Sequence, residues 1–222
     1  MSSDAYKYIA RFLVLFLAIP VHESAHAYVS YRLGDPTAKN MGRLTLNPLK
    51  HFDLMGCISM LVVGIGWAKP VPIDPRYYKD PKKGMALSAL AGPVSNLLMA
   101  FVGMIFYKIS FYSYYASSES QVLYYVTLIL QTMVLINISL AIFNMMPVPP
   151  FDGSRILGVI LPERMYFGIM KYERYIFFAM FALLFLGVFD KPLYYANNAL
   201  FDVLNWLTKF VDSIVLSFLR LA

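Results

Sequence analysis

The segment His22-Glu23-Ser24-Ala25-His26 is the part of the chain whose residue types and spacing could do chemistry. Two histidines four positions apart project from one helix face, about 40° apart around the axis, so both imidazoles can reach one metal ion. Glu23 is poorly placed as a ligand, but its carboxylate can contact water. A metal held by the histidines polarises water, and Glu23 can accept its proton and return it to a leaving amine. The segment therefore predicts metal-dependent hydrolysis of an amide.

A third protein ligand is expected, because catalytic zinc normally takes three and leaves a fourth position for water. His51 is the only other histidine in the chain. Asp152 is the second candidate, since it follows the proline-rich break Pro147–Pro150 and begins a short helix. An acid in broken backbone at membrane depth usually lines a cavity or binds something, although it could also serve as a helix N-cap. Spacing favours Asp152 over His51 but leaves both open.

The elements that must position these side chains are hydrophobic helices. The chain is 59% hydrophobic and 14% charged, whereas a soluble domain carries about 25% charged residues. A membrane-spanning helix needs about 20 apolar residues. We predict an all-α polytopic membrane protein with four to six membrane helices. It forms a single integral membrane domain over 1–222, with a core at 8–174 and C-terminal helices at 174–222.

The apolar stretches also predict where the chain crosses or leaves the membrane. Spans are expected at about 8–33, 85–108, 122–146 and 174–189, while 193–219 either spans or lies in the interface. The run 56–66 is too short to span and predicts a re-entrant loop or short hairpin after the first span. Trp67–Pro72 cannot be helical, and 56–72 could offer a strand edge to an unwound substrate. A proline-broken helix is predicted to carry Asp152.

The charge pattern excludes one class of partner and predicts an orientation. The net charge is +6, but the basic residues form no stripe with interleaved aromatics, so no nucleic-acid partner is expected. Lys and Arg concentrate in 32–83 and 155–174 and are missing from 110–122. By the positive-inside rule, loops 32–83 and 147–174 face the cytoplasm. We expect a multi-pass protein of the cell membrane with its active site toward the cytoplasmic side.

Several separate motifs resemble the site-2 protease family of intramembrane zinc metalloproteases, in its small bacterial branch without a PDZ or CBS domain. They are the histidine motif, Ala91-Gly92-Pro93-x-x-Asn96, Asn144-x-x-Pro147-x-x-Pro150-x-Asp152-Gly153, Gly42–Pro48 and Gly66–Pro72. The resemblance implies one zinc ion per chain, held by His22, His26 and Asp152, with Glu23 as the general base. It also implies that Asn144 positions substrate. Asn96 is a weaker candidate for that role, because its amide could instead satisfy helix backbone.

The function that follows is regulated intramembrane proteolysis, in which a zinc metalloendopeptidase hydrolyses peptide bonds in transmembrane segments of membrane proteins. The expected partners are a transmembrane protein substrate and the lipid bilayer, with a homo-oligomer or a regulatory membrane partner left open. Two alternatives belong to other classes: a metal-binding membrane transporter and a catalytically silent membrane scaffold. A transporter would need an exchanging metal and an internal repeat, and no repeat is visible.

Overall fold

The structure is a computed structural model that describes residues 5–56, 67–117 and 120–219. Within these residues the secondary structure is helical apart from one isolated antiparallel bridge between Phe52 and Ala68. Short 3-10 turns lie at Pro48–Lys50 and Pro75–Tyr77. The α-helices are α1 (Ala5–Arg32), α2 (Thr37–Asn40), α3 (Pro81–Ala116), α4 (Gln121–Asn144), α5 (Asp152–Ile160), α6 (Glu163–Met170), α7 (Glu173–Phe185), α8 (Asp190–Leu207) and α9 (Lys209–Leu219).

Three of the described helices are long and apolar enough to cross a membrane: α1 over Phe12–Arg32, α3 and α4. A fourth crossing exists if α7 and α8 together form one broken span. The all-α polytopic class is therefore confirmed, while the expected four to six membrane helices are reached only at the lower limit. The re-entrant loop or hairpin predicted at 56–66 lies, except for its first residue, in 57–66, outside the described residues.

Two predicted boundaries were wrong. The segment 174–189 was expected to be one span, but α7 ends at Phe185, and its 13 residues are too few to cross. Gly187 adopts a φ of 70°, and Val188 N–H donates to Leu183 O, which is the backbone turn that closes a helix at a glycine. The second span was expected to end at about residue 108, but α3 is helical up to Ala116, because apolar content marks the membrane layer and not the end of a helix.

One compact unit consists of Phe16–Ser95 and Phe143–Val188 and contains the histidine motif. In this unit α1 stops where the sequence predicts it, at Gly34, whose φ of 110° favours glycine. The next residue, Asp35, is fully buried. Its carboxylate accepts hydrogen bonds from Ser30 Oγ at 2.9 Å, Thr37 N at 2.9 Å and Asp74 N at 2.8 Å. Asp35 therefore ties the end of α1 to the segment that leads into α3.

The other compact unit consists of 1–15, 96–142 and 189–222. Its core is a cluster of buried apolar side chains: Ala100, Met104, Val134, Ile138 and Leu204. Beside them lies a buried lysine, Lys108, which is 5% exposed and bonds Asp212 Oδ2 at 2.7 Å and Asn205 O at 3.1 Å. A charge in a membrane helix is costly unless it is paired. The ion pair therefore joins the C-terminal helix α9 to α3.

Candidate active site

The two histidines of α1 converge as the four-residue spacing predicts. His22 and His26 are both buried, and their ring centroids lie 4.6 Å apart. Their Nε2 atoms are 3.0 Å apart. Pro20 lies inside α1, yet the helix continues unbroken to Arg32. Two imidazole nitrogens therefore face one point on the inner side of a helix that is long enough to cross a membrane.

Asp152 brings a carboxylate to the same point from far along the chain. It is the first residue of α5, eight residues after Asn144, where α4 ends. Its Oδ2 lies 3.3 Å from His22 Nε2 and 3.2 Å from His26 Nε2. That oxygen is buried and accepts no hydrogen bond from the described part of the chain. The local turn needs a glycine at 153, since a side chain there would collide with the carbonyl oxygens of Met145 and Met146.

This donor set fits a zinc ion. Zinc prefers tetrahedral coordination at about 2.0–2.1 Å, so its ligand atoms should be about 3.3 Å apart. The three separations in the cluster, between 3.0 and 3.3 Å, agree with that value. Two imidazoles with one carboxylate form a three-ligand set typical of catalytic zinc, which keeps one position open. Within the described residues, these are the side chains grouped closely enough to hold a metal ion.

Helix α3 orients the ring of His26 through Ser88 and has a glycine where that ring packs against it. His26 Nδ1 lies 2.7 Å from Ser88 O, and because a carbonyl can only accept, we assign the proton to Nδ1. Nε2 then keeps its lone pair for a metal. One turn further along α3, a Cβ at Gly92 would stand less than 3.0 Å from atoms of both imidazoles. Neither Ser88 nor Gly92 has a role that its residue type and spacing reveal, although Gly92 lies in a motif that carries the resemblance.

Glu23 and His51, the other two titratable residues singled out, lie in different surroundings. Glu23 Oε2 accepts a hydrogen bond of 3.1 Å from the amide of Val71. His51 is fully buried, and its Nε2 lies 2.7 Å from Thr45 O, outside the cluster of metal-ligand atoms. Of the two candidates for third ligand, the structure therefore brings Asp152 to the histidines.

Asn144 and Asn96, the two asparagines predicted to position substrate, lie in different parts of the fold. Asn144 is the last residue of α4 and is half-buried. Phe143, which precedes it, packs edge-on against Phe151 at a ring distance of 4.5 Å. Asn96 is fully buried in α3 and belongs to the other compact unit. Their assignment to substrate positioning stays a prediction.

A membrane-length helix with two histidines, met by an aspartate, is the arrangement of a membrane metalloprotease. Comparison with known proteins agrees. The model of peptidase family M50 matches residues 109–187. The chain is 38% identical over 193 residues to "Putative zinc metalloprotease YwhC" of Bacillus subtilis (strain 168), covering 87% of this chain and 84% of the relative. The chain belongs to the site-2 protease family, peptidase family M50, and zinc is its metal.

More distant relatives carry similar names. "Zinc metalloprotease MJ0392" of Methanocaldococcus jannaschii is 27% identical over 72% of this chain, which spans 36% of that protein. "Putative zinc metalloprotease Rip2" of Mycolicibacterium smegmatis is 25% identical over 62% of this chain and 51% of its own length. The chain therefore corresponds to about a third to a half of these two relatives. No solved structure matches the chain.

Proposed function

We propose that the chain is an intramembrane protease that hydrolyses peptide bonds within transmembrane segments of membrane proteins, as in regulated intramembrane proteolysis. His22, His26 and Asp152 hold one zinc ion, and Glu23 is the general base. One observation carries the proposal: the three ligand atoms lie 3.0–3.3 Å from one another, and two of them belong to a membrane-length helix. Ionisable residues in such a helix usually mark function, since they are costly in lipid.

The chemistry divides between the metal and this chain's own residues. Zinc, when bound, supplies Lewis acidity at the substrate carbonyl and at the attacking water. Glu23, next to His22 on α1, accepts the proton of that water through its carboxylate and returns it to the leaving amine. Because Val71 engages only Oε2, Oε1 is the atom we assign to the proton. Ser88 holds the ring of His26 in the orientation that the zinc site needs.

The depth of the site supports a substrate that lies within the bilayer. His22 and His26 precede the end of α1 at Arg32 by ten and six residues, which is about 15 and 9 Å along a helix. A helical substrate conceals its carbonyls in internal hydrogen bonds, so it must unwind locally before attack. We assign the positioning of the unwound segment to Asn144, with Asn96 as a second candidate.

The sidedness of the site follows from the basic residues. Arg32 ends α1, and the segment that follows is rich in Lys and Arg up to Lys83 in the first turn of α3. Positive residues favour the cytoplasmic side, so the end of α1 that is nearer to His26 faces the cytoplasm. The active site therefore opens toward the cytoplasmic face of the cell membrane.

Glu23→Gln tests the proposed function, because it removes the base without removing a ligand. The wild-type and variant chains are expressed in matched cells, and new protein termini in the membrane fraction are identified by mass spectrometry. We expect cleavage within transmembrane segments only with the wild-type chain, and about one zinc per purified chain in both. Retained cleavage would defeat the assignment of Glu23.

The same measurements separate the alternatives. A zinc that exchanges freely, without any difference in protein termini, is the result that a transporter would give. A chain without zinc and without cleavage products would be a scaffold. Either result would contradict the proposed protease.

A further inference from the structure

The carboxylate of Glu23 is held by backbone that lies outside its own helix. The contact is the hydrogen bond from Val71 N–H to Oε2. A carboxylate that accepts one fixed hydrogen bond is restricted in rotation, which turns its second oxygen in one direction. Val71 lies in non-helical backbone between Pro70 and Pro72, so the position of its amide depends on what anchors that segment.

The anchor is two residues earlier, at Lys69, whose backbone is bonded in both directions. Lys69 N–H donates to His51 O at 2.8 Å. Lys69 O accepts from Arg43 Nη2 at 2.6 Å. Arg43 is 6% exposed and His51 is fully buried. A buried guanidinium is costly unless its hydrogen bonds compensate, and here one of those bonds fixes the segment that contacts Glu23.

The loop that supplies both anchors is itself bonded to the helix of the histidine motif. Thr45 O accepts a hydrogen bond of 2.5 Å from Ser24 Oγ, and Ser24 follows Glu23 directly. The same carbonyl lies 2.7 Å from His51 Nε2. Loop 43–51 therefore contacts α1 beside the base and also holds the segment that bonds the base. These hydrogen bonds, with the backbone between them, form a closed ring that includes Glu23.

We propose that Arg43 and His51 are positioning residues, which hold Lys69 so that the amide of Val71 fixes the Glu23 carboxylate for proton transfer. Neither residue is assigned a contact with substrate or metal, and both act through the backbone of Lys69. The inference rests on the proposed role of Glu23 as general base. It gives His51 a task that does not require metal binding.

Hydrogen exchange of the Val71 amide tests the role of Arg43 without any substrate. Because the neighbouring prolines have no N–H, Val71 carries the only exchangeable backbone amide in 70–72, and valine labelling lets NMR of the detergent-solubilised full chain follow it. We expect Glu23→Ala and Arg43→Met to accelerate its exchange at least about tenfold, as loss of a hydrogen bond to a charged group implies. Arg43→Lys keeps a donor and should restore part of the protection.

Arg76→Met is the matched control, because Arg76 lies five residues after Val71 in the connection to α3, is exposed, and its side chain bonds only Asp74 among the described residues. It should leave exchange at Val71 unchanged. The inference is overturned if Arg43→Met exchanges at the wild-type rate, or if Arg76→Met accelerates exchange as much as Arg43→Met does.

Kinetics then separate this inference from the proposed function. The probe is a labelled single-span peptide with Gly-Pro at its centre, and zinc is measured per chain. Val71→Pro removes the N–H that bonds Glu23, and Val71→Ala measures how much of the change in kcat comes from loss of the valine side chain. We expect Val71→Pro and Arg43→Met to lower kcat at least about tenfold with KM and zinc content unchanged, because orientation of the base is lost. Normal kcat in both, beside an inactive Glu23→Gln, defeats only this inference, whereas an active Glu23→Gln defeats the proposed function.

Discussion

Gly92 is the residue at which the smallest change should disturb the metal site most. A Cβ at this position would lie 2.5 Å from His22 Cε1 and closer still to His26 Nε2. Non-bonded carbon atoms are comfortable at about 3.5 Å, so Gly92→Ala must displace a ring or the helix by about 1 Å. Metal sites hold their ligand distances to within about 0.2 Å. The added methyl group should therefore remove zinc without removing any ligand.

The assay is zinc affinity of the purified chain, measured by competition with a chelator, together with cleavage of a membrane substrate. We expect affinity to fall about 100-fold or more, since even indirect disturbance of zinc ligands costs about 10–100-fold. Gly168→Ala in α6 is the control, because a Cβ there meets nothing within 4 Å. Wild-type zinc affinity in Gly92→Ala would refute the close approach of α3 to the two rings.

Two further predictions concern the scaffold around the site. Lys108→Met should destabilise the chain by about 1.5–3 kcal/mol, because the Asp212 carboxylate loses its ion-pair partner and, among the described residues, keeps only the longer hydrogen bond from Tyr112. The midpoint of thermal unfolding in detergent should fall and zinc content should not. The exchanged pair Lys108→Asp with Asp212→Lys should recover part of the loss. An unchanged midpoint would show that the pair is not formed. Burial raises the pKa of Asp35, but the bonds from Thr37 and Asp74 outweigh it and hold that pKa below its ordinary value. Asp35 therefore stabilises the fold above about pH 4, the ordinary pKa of an aspartate, and this contribution is lost as pH falls through the lowered pKa. Asp35→Asn should lower the unfolding midpoint at pH 7, and its midpoint should then fall less on acidification than that of the wild type. An equal fall in both chains would contradict this.

Local features of the fold and site could be predicted from the sequence because their causes are local. The convergence of His22 and His26 follows from the pitch of one helix. The end of α1 follows from Gly34 and the proline after it. Apolar stretches long enough to cross a membrane located α3 and α4.

What the sequence could not supply depends on contacts between distant segments. Spacing favoured Asp152 over His51 as third ligand but left both open, and the resemblance decided for Asp152. The contact of Gly92 with the two rings and the bond from Val71 to Glu23 join residues more than 40 positions apart. The early end of α7 was missed because an apolar pattern continues through Gly187, where the backbone turns.

The proposed zinc site is best tested by the zinc content and ligand environment of the purified wild-type chain, compared with those of Asp152→Ala. X-ray absorption at the zinc edge with elemental analysis should find about one zinc per wild-type chain, bound by two imidazoles and oxygen. In Asp152→Ala the ion should be lost or weakly held. A wild-type chain without tightly bound zinc, or an Asp152→Ala variant with unchanged content and environment, would contradict the site.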